Sequence, residues 1–180
     1  MATTDREPHE APRGETPGEQ TPGEQRALAA AESLGLAVAV TRHGRVSSLA
    51  EAAAARGVEP ADIVKTLVVR RAADDYLLVL VPGDREISWP QLRALLDVKR
   101  MSMPPADEAF EVTGYERGTI TPLGSVRAWP VIADERMLEP AGRRISIGGG
   151  AHGVALTVEA QALVDAVGAQ VADVTDPGQA

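Results

Sequence analysis

Apolar positions recur along most of this chain with one of two periods, that of a helix or that of a strand. "EQRALAAAESLG" carries alanine and leucine at helical spacing and stops at Gly35. "LAVAVT" (36–41) reads as a short apolar strand, and "SSLAEAAAARG" (47–57) as a second helix, with Ser47 or Ser48 as cap and Gly57 as stop. Two strands follow, Ile63 to Arg71 and Tyr76 to Val81; Asp74-Asp75 forms the hairpin turn and Pro82-Gly83-Asp84 closes the second strand. "SWPQLRALLD" (88–97) predicts a helix with Ser88 as cap and Pro90 in its first turn. An edge-like strand is expected at 98–103, a helix at about 105–112 that stops at Gly114, and a glycine-bounded loop at 118–124. Strands at 129–135, 143–148 and 154–158 precede a helix over "EAQALVDAVG" and a closing strand at 169–174. Helices mixed with hairpin-joined strands predict an α/β (α+β mixed) fold, with a mixed, largely antiparallel sheet flanked by helices.

Residues 1–24 show no such period. They are rich in Pro, Gly, Glu and Thr and hold a tandem repeat, Thr-Pro-Gly-Glu-Gln at 16–20 and again at 21–25. A segment of this composition cannot bury enough apolar surface to offset its ordering entropy, so 1–24 is expected to be a disordered tail and 25–180 a single domain. The full chain of 180 residues is long enough for one real core. It contains no cysteine, which excludes disulfides, thiolate zinc sites and a cysteine nucleophile. No apolar run reaches the length of a membrane span and no signal-peptide shape opens the chain, so the expectation is a cytoplasmic protein without a membrane partner.

Net charge is −8, which argues against wide nucleic-acid contact. Half of that excess sits in the first 25 residues, where six acids face two arginines. Basic pairs occur at Arg42/Arg45, Arg70/Arg71, Lys99/Arg100 and Arg143/Arg144, and each alone reads as part of a solvated face. Only two lysines stand against sixteen arginines. One of them, Lys65, lies within an apolar strand. It is either a strand-end lysine whose stem packs while its ammonium reaches water, or a cation at a cleft.

"RISIGGGAHGV" (144–154) contains a literal G-x-G-x-x-G at Gly148, Gly150 and Gly153, with Asp173 about twenty residues on, as a dinucleotide fingerprint requires. A strand follows Gly153 where that fingerprint needs a helix N-terminus, so the dinucleotide reading fails. The glycines are then either a structural turn or a place where backbone approaches a ligand, with His152 as a hydrogen-bonding group or base. "ERGTITPLG" offers the same choice around Gly118, Pro122 and Gly124. His43 and His152 are too few for a zinc site, and no cofactor motif is present.

Taken in order, "DIVKTLVV", "LLVLVPGDREIS", "TGYERGTITPLG", "VIADE" and "ISIGGGAHGVALTVEAQALV" resemble the YbaK / prolyl-tRNA editing superfamily of aminoacyl-tRNA deacylases, from about Leu34 to Val174. The resemblance implies a strongly curved mixed sheet with helices around it. It further implies a trans-editing hydrolase of translation fidelity that removes a small wrong amino acid (Cys, Ala or Ser) from tRNA(Pro), needing no cofactor or metal. The alternative is a non-catalytic module that binds an aminoacyl-adenosine or the acceptor end as a synthetase accessory. By the same resemblance Lys65, Gly118 and His152 are the catalytic positions. His43, Thr66, Thr121, Pro122, Gly148, Gly149 and Gly150 are the substrate-binding ones. Gly148 stands where some members carry serine, and Ala155 where an acid is expected; His152 is similar to alanyl-specific members, Thr66 to cysteinyl-type ones. The implied partners are the acceptor end of an aminoacyl-tRNA and a prolyl-tRNA synthetase.

Overall fold

A computed structural model of the chain describes residues 19–179. Its helices are α1 (Pro22–Ser33), α2 (Leu49–Arg56), α3 (Trp89–Leu96), α4 (Ala106–Thr113) and α5 (Ala160–Val167). Its strands are β1 (Ala39–Arg42), β2 (Val64–Ala72), β3 (Asp75–Pro82), β4 (Arg85–Ile87), β5 (Val131–Asp134), β6 (Arg144–Gly148), β7 (Val154–Glu159), β8 (Gln170–Ala172) and β9 (Thr175–Pro177). The α/β character and the largely antiparallel pairing agree with the sequence. The helix stops agree too: Gly57, Gly114 and Gly168 each end a helix in the left-handed conformation that glycine adopts without a Cβ penalty.

The β-structure comes in hydrogen-bonded pieces. One has the order β2-β3-β5-β8, antiparallel between β2 and β3 and parallel thereafter. A second has the order β1-β7-β6, antiparallel throughout, and β4 pairs with β9. A single bridge from Ile63 to Ser146 joins the first two. Alternation along β2 and β3 sorts their side chains between two cores. Val64, Val68, Leu78 and Leu80 pack with β6, β7, α1, α4 and α5. Val69, Leu77, Val79 and Val81 pack with Ile87, Leu92 and Val174. The β2–β3 hairpin is thus the middle layer, apolar on both faces.

Three expectations change. The segment 98–103 makes only one bridge, Ser102 to Arg70, because Pro104-Pro105 cuts off any longer pairing. The short strands β4 and β9 were not expected; "REI" and "TDP" carry no periodic signal and become strands only by pairing with each other. The first helix starts at Pro22, inside the segment assigned to the tail. Thr21 caps it, its hydroxyl accepting from the Glu24 N–H at 3.2 Å, with proline in the first turn. Residues 1–18 of the expected tail lie outside the described residues.

Glu24 itself is 1% exposed and binds Arg42 through both carboxylate oxygens, which fastens α1 to the end of β1. At the other end of the chain, the buried Asp134 carboxylate accepts from the Val174 N–H (3.1 Å) and the Thr175 hydroxyl (2.9 Å), holding β9 to β5. Removing the partner of a buried carboxylate leaves its desolvation uncompensated. Arg42→Ala should therefore lower stability, read as a fall of several degrees in thermal melting. An Arg45→Ala control should leave melting unchanged, since Arg45 forms no ion pair among the described residues.

Candidate functional site

β2 is an edge strand, and its free edge explains the main cavity. The Arg70 N–H donates to Ser102 O (2.8 Å) and Arg70 O accepts from the Ser102 N–H (3.1 Å), so both peptide groups of Arg70 point away from β3. By antiparallel alternation the peptide groups of Val68 and Thr66 point the same way. The Ile63–Ser146 bridge closes the edge at one end and the Arg70–Ser102 bridge at the other. Between them the edge of β2 carries no strand partner among the described residues and borders a cavity of about 670 Å³. Val64 to Val68 form its floor, Met103 to Ala106 and Ala109 one wall, and Arg117, Gly118, Ile120, Gly148 and Arg56 the other. That volume lies in the range of sites that enclose a nucleoside-sized ligand.

The walls are braced from behind. Glu108 on α4 accepts from the Tyr76 hydroxyl (2.6 Å) and from Arg70 at 3.0 and 3.1 Å, tying α4 to β2 and β3. The Trp129 indole N–H donates to Val112 O at 2.7 Å, and its ring meets that of Tyr76 edge-on at 5.2 Å. The buried Tyr115 hydroxyl donates to Leu123 O (2.7 Å), so one hydrogen bond closes the 115–123 loop onto itself.

Four residues singled out from sequence, Lys65, Thr66, Gly118 and Gly148, line this one cavity. The Lys65 ammonium is held by two carbonyls of the β3–β4 turn, Gly83 O at 3.2 Å and Arg85 O at 2.6 Å. Burial pushes its pKa below the usual lysine value, and Asp84 and Glu86 oppose that fall. Thr66 is 7% exposed and its hydroxyl has no partner among the described residues. Gly118 has φ +90°, a conformation L side chains rarely adopt, at the third position of a turn closed by Thr119 N–H to Glu116 O (2.9 Å).

The glycine run has a different reason. A Cβ on Gly148 would lie 2.6 Å from Ile120 O; on Gly149, 2.9 Å from Val154 O; on Gly150, 2.4 Å from Gly23 O. These glycines let three chain segments close on the end of β6, and only Gly148 reaches the cavity.

The other assigned positions lie outside the lining. Thr121 is fully buried beneath the loop, and Pro122 beside it is half-buried. His152 stands exposed at the rim, with Nε2 2.9 Å from a Glu116 carboxylate oxygen and its ring next to Gly118. His43 flanks the far side of the glycine turn. Its N–H donates to Gly153 O (2.8 Å), and Nδ1 lies 2.8 Å from Gly44 O. Sequence reasoning missed Arg56, the last residue of α2, which lines the cavity; an arginine in a helix's last turn reads as solvated, and only the fold shows it turned inward. No group of three or more His, Asp or Glu side chains that could hold a metal ion occurs among the described residues. None of the described helices is long and apolar enough to cross a membrane.

The family model of the aminoacyl-tRNA editing domain matches residues 43–166. A proline--tRNA ligase of Bacillus licheniformis is 33% identical over 89 residues, 49% of this chain but 15% of that enzyme, so the chain spans only a small part of such ligases. A candidate Cys-tRNA(Pro)/Cys-tRNA(Cys) deacylase of Enterococcus faecalis is 26% identical over 120 residues, 66% of this chain and 71% of that protein. Among solved structures, a candidate trans-editing enzyme for prolyl tRNA synthetase superposes with a TM-score of 0.79 at 27% identity, covering 88% of this chain and 99% of the other.

The packing separates the two kinds of glycine by experiment. Gly148→Ala drives a methyl into backbone and should cost about 1–3 kcal/mol. Gly118→Ala meets nothing closer than the His152 ring at 3.9 Å, an ordinary contact, and should cost about 1–2 kcal/mol through its positive φ. Thermal melting, with near-ultraviolet circular dichroism of the Tyr115 region, should show tertiary disturbance in Gly148→Ala only.

Proposed function

The chain belongs to the aminoacyl-tRNA editing domain family, and we propose that it hydrolyses the ester joining a wrong, small amino acid to the terminal adenosine of a tRNA, tRNA(Pro) first. The observation that carries this reading is the cavity on the free edge of β2. Two peptide groups and the partnerless Thr66 hydroxyl face it, in walls otherwise largely apolar. Backbone N–H groups in such a place can hold an ester carbonyl and the oxyanion that develops on it.

In this mechanism water attacks the ester carbonyl carbon, and the tetrahedral intermediate expels the ribose oxygen, which takes the proton that water gives up. The products are a free amino acid and an uncharged tRNA. An aminoacyl ester is already activated, so placing the water and stabilising the oxyanion account for most of the catalysis required. We assign the Thr66 hydroxyl to the water or ester oxygen, and the turn at Gly118 to the cover over the ester. Lys65 acts from the floor: its ammonium fixes the β3–β4 turn beside the cavity, and its peptide belongs to the strand that forms the site. His152, at the rim, meets the part of the substrate that stays outside.

The partner implied is the acceptor end of the tRNA, with a prolyl-tRNA synthetase as the source of the mischarged molecule. The net charge of −8 favours contact limited to that end, and Arg42, Arg70, Arg71, Arg136 and Arg143 are already engaged with carboxylates of this chain.

The test is deacylation of tRNA(Pro) charged with alanine, cysteine, serine, threonine or proline. Turnover of one small misacylated species, with prolyl-tRNA spared, is expected; no turnover by folded protein would leave a binding module. Thr66→Val adds a sharper arm. It removes a buried hydroxyl without a partner, whose burial costs about 1–3 kcal/mol, so melting should hold or rise while deacylation falls at least about tenfold.

A further inference from the structure

Four buried side-chain nitrogen or oxygen atoms lack a partner among the described residues, and two of them, Thr66 Oγ1 and Arg56 Nε, belong to the residues lining this cavity. Arg56 is the more unusual. It is partly buried at the C-terminal end of α2, and it forms no ion pair with any described carboxylate. Its one hydrogen bond is long, from Nη1 to the buried Ser146 hydroxyl at 3.4 Å. Burial pulls its pKa down and no acid lifts it back. Other arginines of the fold behave differently: Arg42, Arg70 and Arg143 each meet a carboxylate within 3.1 Å.

A guanidinium held out of water without a counter-charge is costly unless something anionic completes it. A helix C-terminus attracts a cation, but that attraction is satisfied at the surface and does not require the side chain to face a cavity. Lys65, the other cation of the floor, is occupied by two carbonyls. Arg117, the third cation of the lining, is exposed at the rim. Arg56 is therefore the inward-facing cation with donors to spare.

We propose that Arg56 is a positioning residue that binds the phosphate on the 5′ side of the terminal adenosine, at the β2–β6 end of the cavity beside Ser146. This rests on the editing activity proposed above and specifies how its substrate is held. Every aminoacyl-tRNA carries that phosphate one ribose away from the ester, and the guanidinium fork matches phosphate oxygens in pairs. The amino acid's own ammonium is repelled from the same place, so the two ends of the substrate are oriented in opposite directions along β2. Anchoring at the phosphate leaves the ester over Thr66 and Gly118 whichever amino acid it carries.

The experiment compares AMP with adenosine as ligands of the wild-type protein and of Arg56→Met, by calorimetry or amide chemical shifts, and runs aminoacyl-tRNA deacylation beside it. Wild type should bind AMP about tenfold more tightly than adenosine, and Arg56→Met should bind the two alike. On charged tRNA the variant should raise KM about tenfold with kcat within about threefold, and Arg56→Lys should restore part of the loss. On an aminoacyl-adenosine without the phosphate, wild type and variant should react equally.

Equal AMP and adenosine affinity in the wild type overturns the proposal, and that result needs no variant that folds. An unchanged KM in a folded Arg56→Met overturns it as well. Absence of deacylation by the wild type counts against the editing activity instead, while the AMP–adenosine contrast still decides the role of Arg56.

Discussion

Three segments of backbone meet at the end of β6 within distances that leave no room for a side chain. Ile120 O, Val154 O and Gly23 O lie 2.6, 2.9 and 2.4 Å from where Cβ atoms would stand on Gly148, Gly149 and Gly150. The Gly150 N–H donates to Thr119 O (3.1 Å) and the Gly149 N–H to Val154 O (3.0 Å), so the contact is bonded as well as close. Because the 115–124 loop is seated here, Gly118 stands over the edge of β2 and the cavity has its second wall. Because α1 begins against the same turn, its first residues are drawn into the fold and Glu24 is carried to Arg42. The run that resembles a nucleotide-binding fingerprint is a packing knot, and its influence on the site is architectural.

Charge is organised around the same frame. Glu24 and Asp134, both fully buried, clamp the first helix and the last strands, each satisfied by partners that cross more than a dozen residues of sequence. Three of the four basic pairs give at least one arginine to links within the chain: Arg42, Arg70 with Arg71, and Arg143, which reaches Asp62, Ala61 O, Arg136 O and Glu139 O. The acidic balance of the chain and its proposed nucleic-acid substrate are compatible on these terms. A short acceptor end needs one well-placed cation more than a wide basic surface, and a solvent-excluded cation is worth more than an exposed one.

Much of this was legible in sequence where the cause is local. Glycine stops at 57, 114 and 168, the cap at Ser48 and the β2–β3 hairpin depend on residues a few places apart and are found as expected, though the turn is Ala73-Asp74 and Ser88 holds its cap position without a side-chain hydrogen bond. β4 and β9 depend on each other across some ninety residues and carry no signal of their own. The start of α1 was hidden by the repeat around it, although Thr21-Pro22 followed by Glu24 is a helix-start signature once the second copy is separated from the first. For the site, sequence supplied Lys65, Thr66, Gly118 and Gly148, which line one cavity. It could not supply Arg56, whose inward turn is a property of the packed helix, nor the fact that the ammonium of Lys65 is held by carbonyls.

The central claim is that the unpaired edge of β2 receives the aminoacyl end of the substrate. Titrating ¹⁵N-labelled protein with a non-hydrolysable 3′-amide analogue of alanyl-adenosine tests it most directly. The account predicts that the amides of Thr66, Val68 and Gly118 shift together with one binding curve, while those of α3 and β9 stay still. A protein that binds the analogue, or deacylates the parent ester, with those three amides unmoved would contradict it.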